Sequence, residues 1–204
     1  MFYELATLTV ALRTADQAVE AIGAYVAAPK AKGRLLGCWQ SDIGTLNQLQ
    51  VLRGFEDERD LATERRRALT SANPFNSGAY LTTLSMDAYA PLQDLPPVEP
   101  GAFGPVYEVR TYGLRIGSLP AMTEAWRAAL PARQRLSKLL VAMYALDGAP
   151  RFTHIWPYPS LNDRQAIRAE AVARGIWPPK MNHPGPTPVM RSTIYLPTAI
   201  SPLK

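Results

Sequence analysis

Two patterns of apolar and polar positions alternate along this chain. One has a period of two and marks strands; the other has a period near 3.6 and marks helices. The clearest pair lies at residues 105–130, PVYEVRTYGLRIGSLPAMTEAWRAAL. Over 106–112, Tyr107 and Val109 share one strand face, and Glu108, Arg110 and Tyr112 share the other. Gly113 and Gly117 interrupt the alternation. Ser118 can cap a helix, and Pro120 suits its first turn, where a missing N–H costs nothing. Leu119, Met122, Trp126 and Leu130 then recur at helical spacing and predict a buried face.

The beginning of the chain is an eroded copy of this stretch. Phe2-Tyr3-Glu4-Leu5 aligns with Val106-Tyr107-Glu108-Val109, and Thr7 with Thr111. Thr14 falls where Ser118 falls, and Ile22 and Val26 fall where Trp126 and Leu130 fall. The offset is about 104 residues, roughly half the chain, which reads as two tandem copies of one unit and not as a solenoid.

The remaining pattern follows the same plan in both halves. In the first, a strand at 2–10 leads through the capping-box pattern at 14–17 into a helix that stops near Pro29. Strands at 33–39 and 46–55 flank a turn at 41–44, a charged helix covers 56–69, and a fourth strand covers 79–86. In the second, strands are predicted at 105–114, 138–145, 151–158 and 189–196. One helix begins near Ser118, and another begins at the capping-box pattern 160–163 and runs toward Gly175. Residues 89–105 hold five prolines and two glycines, a semi-stiff linker. The predicted organisation is therefore unit 1 at 1–88, a linker at 89–104 and unit 2 at 105–204.

Each half reads β-α-β-β-α-β, the ferredoxin-like plan of the α+β class. Its first and third strands are central neighbours, and its helices cover one sheet face only. Two such units in one chain can cover each other's bare faces sheet to sheet, which predicts an internal α/β barrel.

Composition narrows the function classes. With 47% hydrophobic residues the 204-residue chain can bury a sizeable core. No apolar run is long enough to span a bilayer, and no integral membrane segment is expected. The N-terminus enters a strand without a basic or apolar leader region, and Cys38 is alone, so a cytoplasmic location is expected. The net charge of +5 suits an anionic small molecule. Basic residues are dispersed except for Arg65-Arg66-Arg67, which sits among acids on a helix, so nucleic acid is not an expected partner. There is no Walker loop, Gly-x-Gly-x-x-Gly after a strand, Cys-x-x-Cys, His-Glu-x-x-His or nucleophile elbow.

The run Tyr107-Glu108-Val109-Arg110-Thr111-Tyr112, with Gly117, Trp126 and His154-Ile155-Trp156-Pro157-Tyr158, resembles the NIPSNAP family within the dimeric α/β-barrel group. Ser160 and the helix bearing Arg164 and Arg168 extend the resemblance. The first half matches through Tyr3-Glu4-Leu5, Leu46-Asn47-Gln48-Leu49 and the charged helix that follows. It departs by carrying Ala6 and Leu8 in place of Arg110 and Tyr112, and Val51, Arg53 and Phe55 in place of His154, Trp156 and Tyr158. The resemblance implies the tandem barrel and self-association into a homo-oligomer. It implies no settled activity; the wider barrel group includes monooxygenases, isomerases and haem-degrading enzymes.

These residues define the expected site. His154, whose ordinary pKa lies near neutrality, is the candidate proton acceptor, against a plain hydrogen-bonded histidine. Glu108 and Arg110 are either polar anchors for a ligand or a satisfied internal ion pair. Tyr112, Trp156 and Tyr158 are a ligand wall or barrel packing. His154, His183 and Glu108 lack diagnostic ligand spacing, so no metal or cofactor is expected. Cys38, Trp39 and Trp126 are assigned to the core, and the loop carrying Trp177-Pro178-Pro179 and Asn182-His183 to a lid or an oligomer contact. All six site residues are expected to point into the barrel, with Tyr107, Val109 and Ile155 toward the helices, in one pocket confined to the second half. The functional expectation is binding, with conversion left open, of a small, partly apolar molecule, anionic if the net charge is used. The alternative is a non-catalytic interaction or scaffold protein that uses its outer surfaces.

Overall fold

The computed structural model describes residues 1–181 and 185–204. The first half contains β1 (Phe2–Val10), α1 (Ala15–Val26), β2 (Arg34–Ile43), β3 (Gln48–Phe55), α2 (Glu58–Leu69) and β4 (Leu81–Pro91). The second repeats the order with β5 (Val106–Leu114), α3 (Leu119–Gln134), β6 (Val141–Ala145), β7 (Arg151–Tyr158), α4 (Leu161–Ala173) and β8 (Pro186–Pro197). This is the tandem ferredoxin-like α+β architecture that the sequence pattern predicts.

Within the halves the strands are ordered β4-β1-β3-β2 and β8-β5-β7-β6, and two seams close them into one barrel, β2 to β8 and β4 to β6. Both seams are antiparallel and short, from Trp39↔Pro197 to Ile43↔Ile194 in one and from Tyr89↔Ala145 to Pro91↔Met143 in the other. The seams explain where elements outrun the pattern. β2 continues through the predicted turn because Ser41 and Ile43 pair with Tyr195 and Ile194 of the other half. β4 runs on to Pro91, into the proline-rich segment, because its last three residues close the barrel against β6.

Local chemistry sets the helix starts unevenly. Ser160 accepts the Asp163 N–H as the capping-box pattern predicts, and Asp57 caps α2 in the same way. The hydroxyls of Thr14 and Ser118 instead donate to the carbonyls of Ala11 and Arg115, so these two helices begin without a side-chain cap.

The barrel interior carries one apolar cluster that includes Tyr3, Leu5, Trp39, Tyr107, Val109 and Ile155. Gly37 makes room for it: a Cβ there would lie 2.2 Å from the Trp39 ring. The segment after β4 and the C-terminal tail plug the floor. Val98 and Leu203 join the interior cluster, Gly101 bridges Leu203, and the Val98 N–H donates to the Tyr3 hydroxyl at 3.0 Å.

This packing corrects the predicted facing. Tyr107, Val109 and Ile155 face the lumen, while Glu108, Arg110, Tyr112, His154, Trp156 and Tyr158 lie on the outer face, beneath α3 and α4. The physical reason is that eight strands converge on a narrow interior whose floor is apolar, so its inward positions there need apolar bulk. The helices demand less: α4 buries only Ala171 fully and presents Arg164 and Arg168 toward the sheet.

Candidate functional site

β5 and β7 are central neighbours, with Arg110 opposite His154, Glu108 opposite Trp156 and Val106 opposite Tyr158. Alternation on both strands puts all six expected site residues on one face, so they do come together, outside the barrel. β8, on the other side of β5, adds Ser192 opposite Arg110.

Glu108 is fully buried. Its Oε1 accepts from Arg164 Nη2 at 2.6 Å, Ser192 Oγ at 2.7 Å and Arg110 Nη1 at 2.9 Å. Arg168 Nη1 lies 3.7 Å from Oε2, close enough for an ion pair but too far for a hydrogen bond. Burial opposes ionisation, but the hydrogen bonds from Arg164 and Ser192 and the Arg110 charge outweigh it and hold the carboxyl at about 2. Arg110 also donates from Nε to the Tyr112 hydroxyl at 2.6 Å.

From α3, Arg133 donates to Ser137 at 2.7 Å and to the Tyr158 hydroxyl at 3.3 Å, and its guanidinium stacks 4.3 Å from the Trp156 ring centre. Burial lowers its pKa, a sign that this charge is only partly compensated.

His154 is buried among rings, with Trp126 at 4.7 Å and Tyr112 edge-on at 5.0 Å between centroids. Trp156 Nε1, a donor only, bonds to His154 Nδ1 at 2.7 Å. The proton of the neutral ring therefore sits on Nε2, which has no partner among the described residues. Burial, then the nearby Arg110 charge, pushes His154 well below its ordinary value. This corrects the proton-acceptor assignment: the only imidazole lone pair is already occupied, and the ring offers a donor.

The first half holds the comparison that gives this site meaning. There Arg53 donates to Glu4 at 2.7 Å and to Glu64 at 2.7 Å, and Arg67 also bonds Glu64 at 2.7 Å. Two carboxylates face two guanidiniums, and Glu4, Arg53 and Glu64 are all but inaccessible. In the second half, Arg110, Arg133, Arg164 and Arg168 all act on the environment of a single carboxylate, Glu108. Arg164 and Arg168 also reach solvent, with side chains 25% and 35% exposed.

The loop after α4 closes over this cluster. The Trp177 N–H donates to the Ala171 carbonyl at 3.1 Å, and its ring meets Trp126 edge-on at 4.7 Å and Trp156 at 5.9 Å. Asn182 and His183, also assigned to this loop, lie outside the described residues. Among the described residues no cluster of His, Cys, Asp and Glu has the makings of a metal site.

Arg133 and Ser192 were not singled out by the sequence pattern. Arg133 had a signal: it continues the Met122, Trp126, Leu130 stripe at the next helical position, so a charge stands where an apolar residue is expected. Ser192 had none beyond its place in a strand.

The family model described as NIPSNAP matches residues 3–80 and 107–202, in both halves. The chain belongs to the NIPSNAP family. A NIPSNAP relative, the protein NipSnap homolog of Dictyostelium discoideum, is 26% identical over 145 residues, which is 70% of this chain and 65% of that protein. The chain thus spans less than two thirds of this NIPSNAP relative. Among solved structures, a proposed monooxygenase from Lactobacillus acidophilus NCFM superposes with a TM-score of 0.63 at 10% identity, covering 96% of this chain and 93% of that one. An anthrone oxidase-like protein superposes equally well, with a TM-score of 0.63 at 12% identity over 97% and 91% of the two chains. At these identities the likeness is one of fold alone.

Proposed function

We propose that the arginine cluster on the outer face of β5, β7 and β8, beneath the helices α3 and α4, binds a small, partly apolar anion. The observation that carries this reading is the charge imbalance between the halves: the Glu4 network balances two carboxylates with two guanidiniums, whereas the Glu108 network gathers four guanidiniums around one carboxylate. Arg164 and Arg168 are the anion's charge partners, the His154 Nε2–H is a directional donor, and Tyr112, Trp156 and Trp177 supply the apolar wall. No proton-transfer step is assigned, because the His154 lone pair is engaged by Trp156.

The test uses benzoate, salicylate and inorganic phosphate as probes in calorimetry with the whole protein. An anion that binds the wild type should bind about ten- to hundredfold more weakly to Arg168→Gln, the loss of one charge-assisted hydrogen bond. Absence of binding by all three, or equal binding by Arg168→Gln and Arg164→Gln, removes the proposal.

A second reading, an interaction protein that self-associates, is favoured by one observation. Val189 and Met190 are exposed on the stretch of β8 that, among the described residues, pairs only with β5. Such an edge is a template for another strand. Light scattering at micromolar concentration should show an oligomer that Val189→Lys weakens; monomer alone rules this reading out.

A further inference from the structure

The barrel lumen is a compartment of its own, walled off from the arginine cluster by the sheet. Its inward columns change character along their length. On β1 they run Tyr3, Leu5, Thr7, Thr9; on β5 they run Tyr107, Val109, Thr111; on β3, Leu52 gives way to Gln50 and Gln48. Above the apolar floor this leaves a cavity of about 330 Å³ lined by residues of both halves. That is within the range of small-ligand pockets, which run to roughly 300–1,000 Å³.

Eleven of the sixteen lining side chains carry a hydroxyl or a carboxamide. Asp87 and Arg151 neutralise one another at 2.8 Å, and Arg191 stands exposed at the rim. Gln50 is 8% exposed; its Nε2 donates to Thr7 at 3.4 Å, and its Oε1 has no partner among the described residues. Deeper in the interior, outside the cavity lining, the Tyr107 hydroxyl and Trp39 Nε1 are also without partners among the described residues. Burial pushes the Tyr107 phenol upward, so it remains a neutral donor. A buried polar atom left unpaired costs about 1–3 kcal/mol, and at the cavity that atom is the Gln50 acceptor. A ligand hydroxyl can donate to it; an ionised carboxylate, an acceptor only, cannot.

We propose that the lumen is a second binding site, for a small, neutral, hydroxyl-rich molecule of the polyol or monosaccharide class, with a ligand hydroxyl donating to Gln50 Oε1. The threonine methyls, Leu5 and Val109 cover its C–H faces, and Tyr89 and Tyr195 line the wall.

Saturation-transfer NMR with glycerol, myo-inositol and glucose tests this on the whole protein, with benzoate and phosphate as anionic controls. At least one neutral probe should bind, and Gln50→Leu, close in volume, should weaken it at least tenfold while Arg168→Gln leaves it unchanged. Thr7→Val gives the same reading if Gln50→Leu does not fold. Silence of every neutral probe means that the cavity holds water only and overturns the proposal. So does response to the anions alone, or neutral-probe binding that the lumen variants leave intact. Because the arginine-site test uses other probes and other variants, either proposal can fail without the other.

Discussion

Glu4 and Glu108 occupy equivalent positions, yet one is held in a charge-balanced network and the other among surplus guanidiniums. Arg53 joins Glu4 to Glu64 and is ringed by Phe55 and Phe75 at 5.3 and 5.4 Å. Removing that guanidinium leaves the buried Glu4 carboxylate uncompensated, while Arg67 still pairs with Glu64, so Arg53→Met should cost about 3–5 kcal/mol in urea unfolding. His154 gives a pH signature. Its folded pKa is depressed by burial and by Arg110, with Arg133 and Arg168 acting in the same sense and Glu108 opposing. The unfolded chain therefore binds a proton that the folded one refuses. Stability is complete above the ordinary value of 6.5 and falls as the pH drops below it. Glu108, held at about 2, adds its own loss only below its ordinary value of 4.5. His154→Gln should flatten the decline between these two values by up to about 1.4 kcal/mol per pH unit, measured by urea unfolding across that range.

At the scale of elements, strand ends and tails are set by partners from the other half. The C-terminal tail is the clearest case. Leu203 is wholly buried in the barrel floor, the Cys38 N–H donates to Ser201 Oγ at 3.0 Å, and the Lys204 N–H donates to the Gly101 carbonyl at 3.0 Å. Leu203→Ala should cost about 2–5 kcal/mol, the range for large-to-small changes in a core. A thermal midpoint equal to wild type would show that the tail is not part of the floor. No helix among the described residues is long and apolar enough to cross a membrane.

For the whole molecule, the shared interior is what makes the halves interdependent. Each half alone would expose the lumen face of four strands, including Tyr107, Val109, Ile155 and Tyr195 in the second. A separately expressed 105–204 fragment should therefore be insoluble or pair with a second copy to rebuild the eight-strand barrel. A stable monomeric fragment with cooperative unfolding would show that the halves are self-sufficient domains.

Much of this was legible in the residues. Period-two alternation grouped Glu108, Arg110 and Tyr112, and His154, Trp156 and Tyr158, and the β-α-β-β-α-β order placed β5 beside β7, which put the six together. The erosion of the first copy is visible as two networks of different make-up, two carboxylates with two guanidiniums around Glu4 and one carboxylate among four guanidiniums around Glu108. The lumen cavity is lined by both halves and not by the second alone. What alternation cannot say is which face is inside, since a strand's two faces are distinguished only by what packs on them. In an open sheet the apolar face meets the helices; here closure of eight strands created an interior with an apolar floor, and Tyr107, Val109 and Ile155 went inward. The same closure turned Thr7, Thr111 and Gln50, unremarkable in sequence, into the lining of a cavity, because only the tertiary fold brings both halves around one axis.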